Sequence, residues 1–276
     1  MANSTERGRT VTSRAFAVLG AFTPAQPELT LAQICRITGL RHATAHRLIR
    51  ELVGWGALER TPHGAYVIGL RLWELGTLNP RGLPLRVRAM PFMEDLHAVT
   101  RQHVQLAVLD SGEALVVERI SAADAIPVVS QVGGRLPLHA SAVGKVLLAH
   151  ADEDLFAEVV RDGLARFTAA TVTDEAGLRV ALAECRRTGV AVVREEMSVG
   201  AYSVATSITD AKGRVVAGLS VVGPDPAIHR LVPAVVMAGR GISRGLTSMP
   251  GPAGGDDDAL PCGRPPTREP ARAGGG

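Results

Sequence analysis

The stretch "LAQICRITGLRHATAHRLIRELVGWG" at residues 31–56 decides the fold of the first part of the chain. Its first half predicts a helix that Thr30 can cap and that ends at Gly39. The apolar face of this helix consists of Leu31, Ile34 and Ile37. Its second half predicts another helix, whose apolar face consists of Ala45, Leu48, Ile49 and Leu52. Two helices joined by a glycine turn are typical of a helix-turn-helix.

The opposite face of the second helix carries basic and polar side chains. These are Arg41, His42, Thr44, His46, Arg47 and Arg50. In a helix-turn-helix the second helix enters the major groove of DNA, where such side chains meet bases and phosphates. The same pattern also suits a small α+β domain with a solvated basic face, and that interpretation stays open on these residues alone.

The flanking sequence extends the unit on both sides. Apolar residues between Thr12 and Ala21 recur at helical spacing, and "TPAQPE" ends that helix. On the other side, "ALERTPHGAYVIG" at residues 57–69 predicts two strands joined at His63-Gly64, where a tight turn needs a positive φ. Three helices and a two-stranded wing predict a winged helix-turn-helix.

The charge of the chain is unevenly distributed. Residues 1–88 contain twelve Arg and five Glu with no Lys or Asp, a net charge of +7. Since the whole chain of 276 residues carries +3, the remainder carries −4. A basic first third on a mildly acidic body favours a polyanion-binding module joined to another domain.

Composition excludes several classes of protein. With 46% hydrophobic and 21% charged residues the chain can bury two cores, so disorder throughout is excluded. No apolar run is long enough to span a bilayer and the start lacks a secretory signal, so we expect a cytoplasmic protein without a membrane partner. Cys35, Cys185 and Cys262 lack the spacing of a disulfide framework or a zinc site, and we expect ordinary thiols and no metal or cofactor.

The second part of the chain predicts an α+β domain. A helix at about residues 84–100 precedes the strands "HVQLAVLD", "EALVVERI" and "AIPVVSQVGG", the last at residues 125–134. Two helical segments then precede the strands "VAVVREE", "AYSVATSITD" and "GRVVAGLSVVG", and a closing helix follows. We therefore expect an antiparallel sheet of about six strands.

The stretch "RLPLHASAVGKVLLAH" at residues 135–150 allows three interpretations. Ser141 is a good N-cap, and the free amides that follow at Ala142 and Val143 suit a carboxylate. A hydrolase-like enzyme could instead use His139, Ser141 and Lys145, although no G-x-S-x-G or SxxK motif is present. A lysine one turn into a helix, as Lys145 is, is more commonly exposed to solvent than catalytic. Alternatively the helix binds nothing and the domain is a dimerisation scaffold. An acid–base pair at Glu195 and Glu196 is disfavoured, because neighbours in a strand face opposite sides.

Both parts of the chain resemble one family. "TGLRHATAHRLIREL" and its surroundings are similar to the amino-terminal domain of IclR-type transcriptional regulators. "RLPLHASAVGKVLLA" and "EEMSVGAYSVATSITDAKGRVVAGLSVVGP" resemble the effector domain of the same family, so the likeness covers about residues 10–248. It implies that Thr44, His46 and Arg47 meet the DNA, with Arg41, His42 and Arg50 nearer the phosphates.

The resemblance also implies a GAF-like domain that binds a small organic acid. The implied ligand-facing residues are Ala142 and Val143 through their amides, with Val193, Ser203 and Ser220. Many relatives have an acidic residue where this chain has Val193, a Cys where it has Ser203, and a Ser where it has Val222. The implied pocket is therefore less polar, and favours a larger, partly apolar carboxylate such as an aromatic acid.

The sequence as a whole predicts a ligand-responsive DNA-binding regulator rather than an enzyme. Its fold class is α+β, with an N-terminal winged helix-turn-helix and a C-terminal GAF-like α/β effector-binding domain built on an antiparallel sheet. Its expected partners are double-stranded operator DNA, a small organic acid bound near Ser141, and further copies of the chain in a homodimer or homotetramer. The expected boundaries are a DNA-binding domain at 10–75, a linker at 76–89, a sensing and oligomerisation domain at 90–249, and a disordered tail at 250–276.

Overall fold

The computed structural model of the chain describes residues 10–79, 81–121 and 130–247. These residues form two compact units that divide between Val87 and Arg88. Within the described ranges no helix is both long and apolar enough to cross a membrane. The tail predicted to be disordered, 250–276, lies outside these ranges.

The first unit is a winged helix-turn-helix, as the sequence predicts. Its elements are α1 (Val11–Leu19), β1 (Glu28–Leu29), α2 (Leu31–Thr38), α3 (His42–Trp55), β2 (Leu58–Arg60), β3 (Tyr66–Ile68) and α4 (Leu70–Thr77). The turn of the wing has its positive φ at Gly64, +84°. The wing is larger than predicted, because β1 pairs with β3 and the sheet has three strands in the order β1-β3-β2.

Local signals fix the ends of α2 and orient it. Thr30 caps the helix through a complete capping box with Gln33, and Gly39 ends it in the left-handed conformation. Ile34 of α2 is fully buried in a core that it shares with α1 and α3. Ile37, which the apolar pattern places on the same face, is instead 45% exposed.

Helix α5 (Leu83–Thr100) begins inside the stretch predicted as a linker, 76–89. Pro84 lies in its first turn, where the missing N–H of proline costs no intrahelical hydrogen bond. Since α4 ends only at Thr77, much of that stretch is helical.

The second unit contains a six-stranded antiparallel sheet in the order β6-β5-β4-β9-β8-β7. Its elements after α5 are β4 (His103–Asp110), β5 (Glu113–Ile120), β6 (Arg135–Leu136), α6 (Ala142–Ala149), α7 (Glu153–Asp162), α8 (Glu175–Thr188), β7 (Val190–Arg194), β8 (Tyr202–Thr209), β9 (Val215–Gly223), a short 3-10 helix (Ile228–Leu231) and α9 (Val232–Thr247). The number of strands agrees with the prediction, but one position does not. Of the predicted strand at 125–134, residues 125–129 lie outside the described ranges and 130–134 are not strand; the sixth strand is β6.

Helices cover both faces of this sheet. On one face α6 and α8 share the main core with the strands, and Val143 of α6 lies against Gly218 of β9. On the other face Gly239 of α9 lies against Thr206 of β8. Every residue of α6 from Ala142 to Ala149 is buried, including Lys145, the one charged residue among its apolar and small ones.

Candidate functional site

Helix α3 separates a buried face from an exposed basic one. Ala45, Leu48 and Ile49 are buried, and Leu52 is half-buried. Of the six residues predicted to meet DNA, Thr44 is half-buried and the rest are exposed: Arg41, His42, His46, Arg47 and Arg50. The structure thus places five of the six on α3 and Arg41 at its N-cap, and none of the six is buried.

Arg47 already has a partner on this surface. Its Nη1 lies 3.6 Å from Glu51 Oε1, one turn along α3, and both side chains are more than half exposed. An ion pair this exposed contributes little to stability. Arg47 can therefore leave Glu51 for another acceptor at small cost.

A pocket lies between the start of α6 and the sheet face of the second unit. It is lined by all six residues that the sequence predicts to face a ligand, namely Ser141, Ala142, Val143, Val193, Ser203 and Ser220. Its free volume is about 530 Å³, counting solvent at the mouth.

The start of α6 is built as an N-cap at Ser141. The Ser141 hydroxyl accepts a hydrogen bond from the Gly144 amide (3.1 Å) and donates one to the Pro137 carbonyl (2.7 Å). The first intrahelical bond that reaches back to the cap runs from Lys145 N to Ser141 O. In the described part of the chain, the amides of Ala142 and Val143 have no acceptor, and both residues line the pocket.

Two buried serines on the sheet line the same pocket. Ser203 is paired with Val193 and Val222 on the neighbouring strands, and Ser220 is paired with Ala205 and Gln105. The exposed fraction is 9% for Ser203 and 1% for Ser220. No hydrogen bond of either hydroxyl is found within residues 10–79, 81–121 and 130–247, so both are open to a ligand in the pocket.

The pocket also contains residues that the sequence analysis missed. These are Gln105, Ser130, Leu136, Met197, Ser198 and Ala201, whereas Val222, which the sequence analysis used to infer the polarity of the pocket, also lines it. One signal was available for Gln105, which is a polar residue inside the otherwise apolar strand "HVQLAVLD" and is 3% exposed. The loop at 195–201 gave no such signal, because its path depends on distant residues.

Lys145 is not the exposed residue that its place in the sequence suggests. It is 4% exposed, and its ammonium lies 2.5 Å from Glu196 Oε1. Thr168 and Thr171 hold the same loop by donating hydrogen bonds to the carbonyls of Glu195 and Glu196. The ion pair therefore ties α6 to the 195–201 loop, which carries pocket-lining residues.

The side chains named for the enzyme alternative are not arranged for catalysis. Ser141 is engaged as a helix cap, while the Nε2 atom of His139 lies 2.9 Å from the Ala165 carbonyl and its ring stacks on Phe167. Glu195 accepts from Gly200 N and Glu196 pairs with Lys145, so the two carboxylates serve different partners. In the described structure Ser141 thus has no base beside it.

The cysteines and other side chains that can bind metals form no metal site in the described ranges. No group of three or more His, Cys, Asp or Glu is close enough there to hold a metal ion. Burial raises the pKa of the Cys185 thiol to about 11, so this thiol is protonated at neutral pH. Cys262 lies outside the described residues.

Comparison with known proteins covers both units. The family model described as IclR helix-turn-helix domain matches residues 11–62, and the one described as Bacterial transcriptional regulator IclR C-terminal matches residues 81–241. The chain is 33% identical to the HTH-type transcriptional regulator XynR of Escherichia coli over 75% of this chain and 83% of the relative. It is 32% identical to the HTH-type transcriptional regulator BhcR of Paracoccus denitrificans over 79% and 81%.

Solved structures show the same architecture. An IclR homolog from Microbacterium hydrocarbonoxydans, crystallised in complex with 4-hydroxybenzoate, is 37% identical with a TM-score of 0.82, over 86% of this chain and 99% of that one. A transcriptional regulator from Rhodococcus sp. RHA1 is 27% identical with a TM-score of 0.73, over 86% and 97%.

Proposed function

This chain belongs to the IclR family of bacterial transcriptional regulators, and we propose that a small organic acid bound in its second unit modulates its binding to operator DNA. The exposed face of α3 reads the operator. The pocket under α6 is the sensor. The functional boundaries that accompany this proposal are a DNA-binding domain at 10–75 and a sensing domain at 90–249, joined through 76–89.

The unsatisfied polar groups of the pocket carry the sensor proposal. The hydroxyls of Ser203 and Ser220 have no hydrogen bond in the described structure, and Ala142 and Val143, whose amides lack an acceptor there, line the same pocket. A carboxylate accepts several hydrogen bonds at once and is favoured at the positive end of a helix. These four donors together therefore suit the carboxylate of an organic acid.

The rest of the lining favours an acid with an apolar body. Val143, Val193, Leu136, Met197 and Val222 contribute apolar walls. Val193 in particular stands beside Ser203 in the sheet, where a carboxylate would repel the ligand. An IclR homolog of the same fold binds 4-hydroxybenzoate, and this supports an aromatic acid as the class of effector.

Removing a pocket hydroxyl should weaken binding of the acid without destabilising the protein. We expect Ser203→Ala and Ser220→Ala each to lower the affinity for an aromatic acid by about ten- to a hundredfold, since a hydrogen bond to a charged group contributes roughly 1.5–3 kcal/mol. Isothermal titration calorimetry with 4-hydroxybenzoate measures this, after thermal-shift screening of organic acids identifies binders. Adding a charge beside the ligand through Val193→Asp should weaken binding in the same assay.

Ser207→Ala is the matched control, because Ser207 lies on β8 but does not line the pocket. It should bind the acid like the wild type. If no organic acid raises the melting temperature of the wild-type protein, the unit is a dimerisation scaffold and not a sensor. If His139→Ala, or a Lys145→Ala protein that thermal melts show to be folded, loses turnover of an ester or acid, the enzyme interpretation replaces the sensor.

The arginines of α3 should separate into two roles. If Arg47 contacts a base, Arg47→Ala costs about 1–3 kcal/mol on the operator and relaxes the preference at one position. Arg50→Ala, on a phosphate, should weaken all DNA alike and flatten the salt dependence. Fluorescence anisotropy on operator and random duplexes at several salt concentrations distinguishes the two.

Arg187, an exposed arginine of α8 in the other unit, provides the control for these measurements. Arg187→Ala should change neither affinity. An equal loss on operator and random DNA for both α3 variants would contradict the division of roles.

We also propose that the functional species is a homodimer or homotetramer. One recognition helix reads only a few base pairs, so operator specificity needs at least two copies on half-sites about 34 Å or a multiple apart. Sedimentation velocity with and without a two-half-site duplex tests this, and a monomer bound to a single unrepeated site would reject it.

A further inference from the structure

The loop at 195–201 forms one wall of the pocket, and hydrogen bonds rather than core packing hold its outer part. Met197, Ser198 and Ala201 of this loop line the pocket. Val199, which lies between them in sequence, is 82% exposed. The position of this wall therefore depends on the groups that fix the backbone of the loop.

Glu195 closes the loop from within. Its φ is +55°, a left-handed conformation that costs free energy in a residue with a Cβ. Its N–H donates to the Ala201 carbonyl (2.8 Å), and its Oε1 accepts from the Gly200 amide (2.7 Å). Such a backbone conformation persists only where the surrounding contacts enforce it, and these two bonds join the ends of the loop.

A turn at 167–171 holds the loop without lining the pocket. Thr168 Oγ1 donates to the Glu195 carbonyl and Thr171 Oγ1 donates to the Glu196 carbonyl, both at 2.7 Å. Thr171 is 5% exposed, and its hydroxyl also accepts from the first two amides of the turn. The hydroxyl that orders the turn is thus one of the two that hold the loop.

The side chain of Glu196 joins the same turn to the start of the pocket helix. One carboxylate oxygen pairs with Lys145 of α6, and the other accepts from the Val172 amide at 3.4 Å. The loop is therefore bonded on one side to the segment 167–172 and on the other to α6. A shift of the loop strains both sets of contacts, so the turn and the pocket wall move together.

We propose that Glu195 and Thr168 are positioning residues of the sensor, which hold the 195–201 loop in the conformation that binds the ligand and couple the 167–171 turn to occupancy of the pocket. This inference rests on the proposed sensor function and deepens it, because it assigns control of the affinity to residues that do not line the pocket. Loss of either residue lowers the fraction of molecules whose loop is in the binding conformation. The apparent affinity falls with that fraction.

Thr168 gives the first test, by calorimetric titration of the full-length protein with 4-hydroxybenzoate. Thr168→Val keeps the shape of the side chain and removes its hydroxyl, so it should weaken binding about five- to tenfold. Thr168→Ser keeps the hydroxyl and should bind like the wild type. Thr173→Val is the matched control, because the Thr173 hydroxyl accepts from Arg166 instead of holding the loop, and its affinity should not change.

Glu195 gives a test that separates positioning from stability. Glu195→Gly removes the acceptor for the Gly200 amide but also relieves the left-handed backbone, so its melting temperature should stay close to that of the wild type. Its affinity for 4-hydroxybenzoate should nevertheless fall about five- to tenfold. Glu195→Gln keeps an oxygen acceptor at the same distance and should retain most of the affinity.

Hydrogen–deuterium exchange tests the coupling in the other direction. Because coupling between two sites is mutual, saturating 4-hydroxybenzoate should slow exchange in the loop at 195–201 and also in the turn at 167–171. In Thr168→Val the acid should still slow exchange in the loop, but its effect on the turn should be reduced.

The outcomes distinguish this inference from the sensor function. If the wild type binds the acid and Thr168→Val binds it equally well, the positioning role is overturned while the sensor stands. It is likewise overturned if Glu195→Gly loses affinity only in proportion to a fall in melting temperature, or if bound acid protects the loop and leaves the turn unchanged. If 4-hydroxybenzoate neither binds the wild type nor shifts its melting temperature, the aromatic-acid sensor fails and the positioning role fails with it.

Discussion

Lys145→Ala should destabilise the second unit by about 3–5 kcal/mol, because it leaves the carboxylate of Glu196 buried without its partner. The pair is almost fully enclosed, with side-chain exposures of 5% and 10%, and the two atoms are 2.5 Å apart. Glu196→Ala should cost a similar amount by leaving the ammonium unpaired. Urea unfolding followed by circular dichroism measures the loss in free energy of unfolding.

The double variant Lys145→Met, Glu196→Leu is the control for the two single variants. It removes both charges and keeps apolar volume, so it should recover most of the stability lost by either single change. It should still bind an aromatic acid less tightly than the wild type, because the 195–201 loop loses its tie to α6 while Met197 and Ser198 line the pocket. A loss below about 1 kcal/mol in Lys145→Ala would contradict the buried pair.

Gly144→Ala should disable the start of α6. A Cβ at this position would lie 2.6 Å from both Leu138 Cα and the Pro137 carbonyl oxygen, and 2.5 Å from Ser141 Oγ. Two of these three contacts are with backbone atoms, which cannot be relieved by a change of side-chain rotamer. We expect a cost near the upper end of the roughly 1–3 kcal/mol range for overpacking. We also expect loss of acid binding, since the amides of Ala142 and Val143 move with the helix start.

Gly245→Ala is the control for this change. Gly245 lies in α9, and a Cβ there meets nothing within 4 Å. Alanine is the better helix former, so this variant should gain about 0.5–1 kcal/mol. Thermal melts and titration with 4-hydroxybenzoate compare the two variants. Acid binding of wild-type strength in a folded Gly144→Ala protein would show that the helix start does not hold the carboxylate.

The sequence predicted the first unit well because its signals are local. The face of α3 follows from the spacing of Ala45, Leu48 and Ile49, and the wing follows from one glycine turn. The extra strand β1 escaped prediction because two residues carry no periodic pattern. Its pairing with β3 depends on contacts that only the folded unit provides.

Pocket residues were predictable from the sequence only where a local rule or the family resemblance identified them. Ser141 follows from N-cap chemistry, and Ser203 and Ser220 were placed by resemblance. Lys145 was misjudged because its partner Glu196 lies 51 residues away, beyond any helical pattern. Gln105 was missed because its role depends on β4 lying next to β9, which a strand pattern does not reveal.

The sheet order also has a consequence for synthesis of the chain. The last strand to be made, β9, is not at an edge but lies between β4 and β8. A nascent chain that has not yet released residue 223 from the ribosome therefore has two separate pieces of sheet and no complete pocket. The winged unit, whose last strand ends at Ile68, depends on no later segment for its own sheet. Domains fold as units, amino-terminal first, during synthesis. During translation the chain thus acquires its helix-turn-helix well before it acquires the complete pocket.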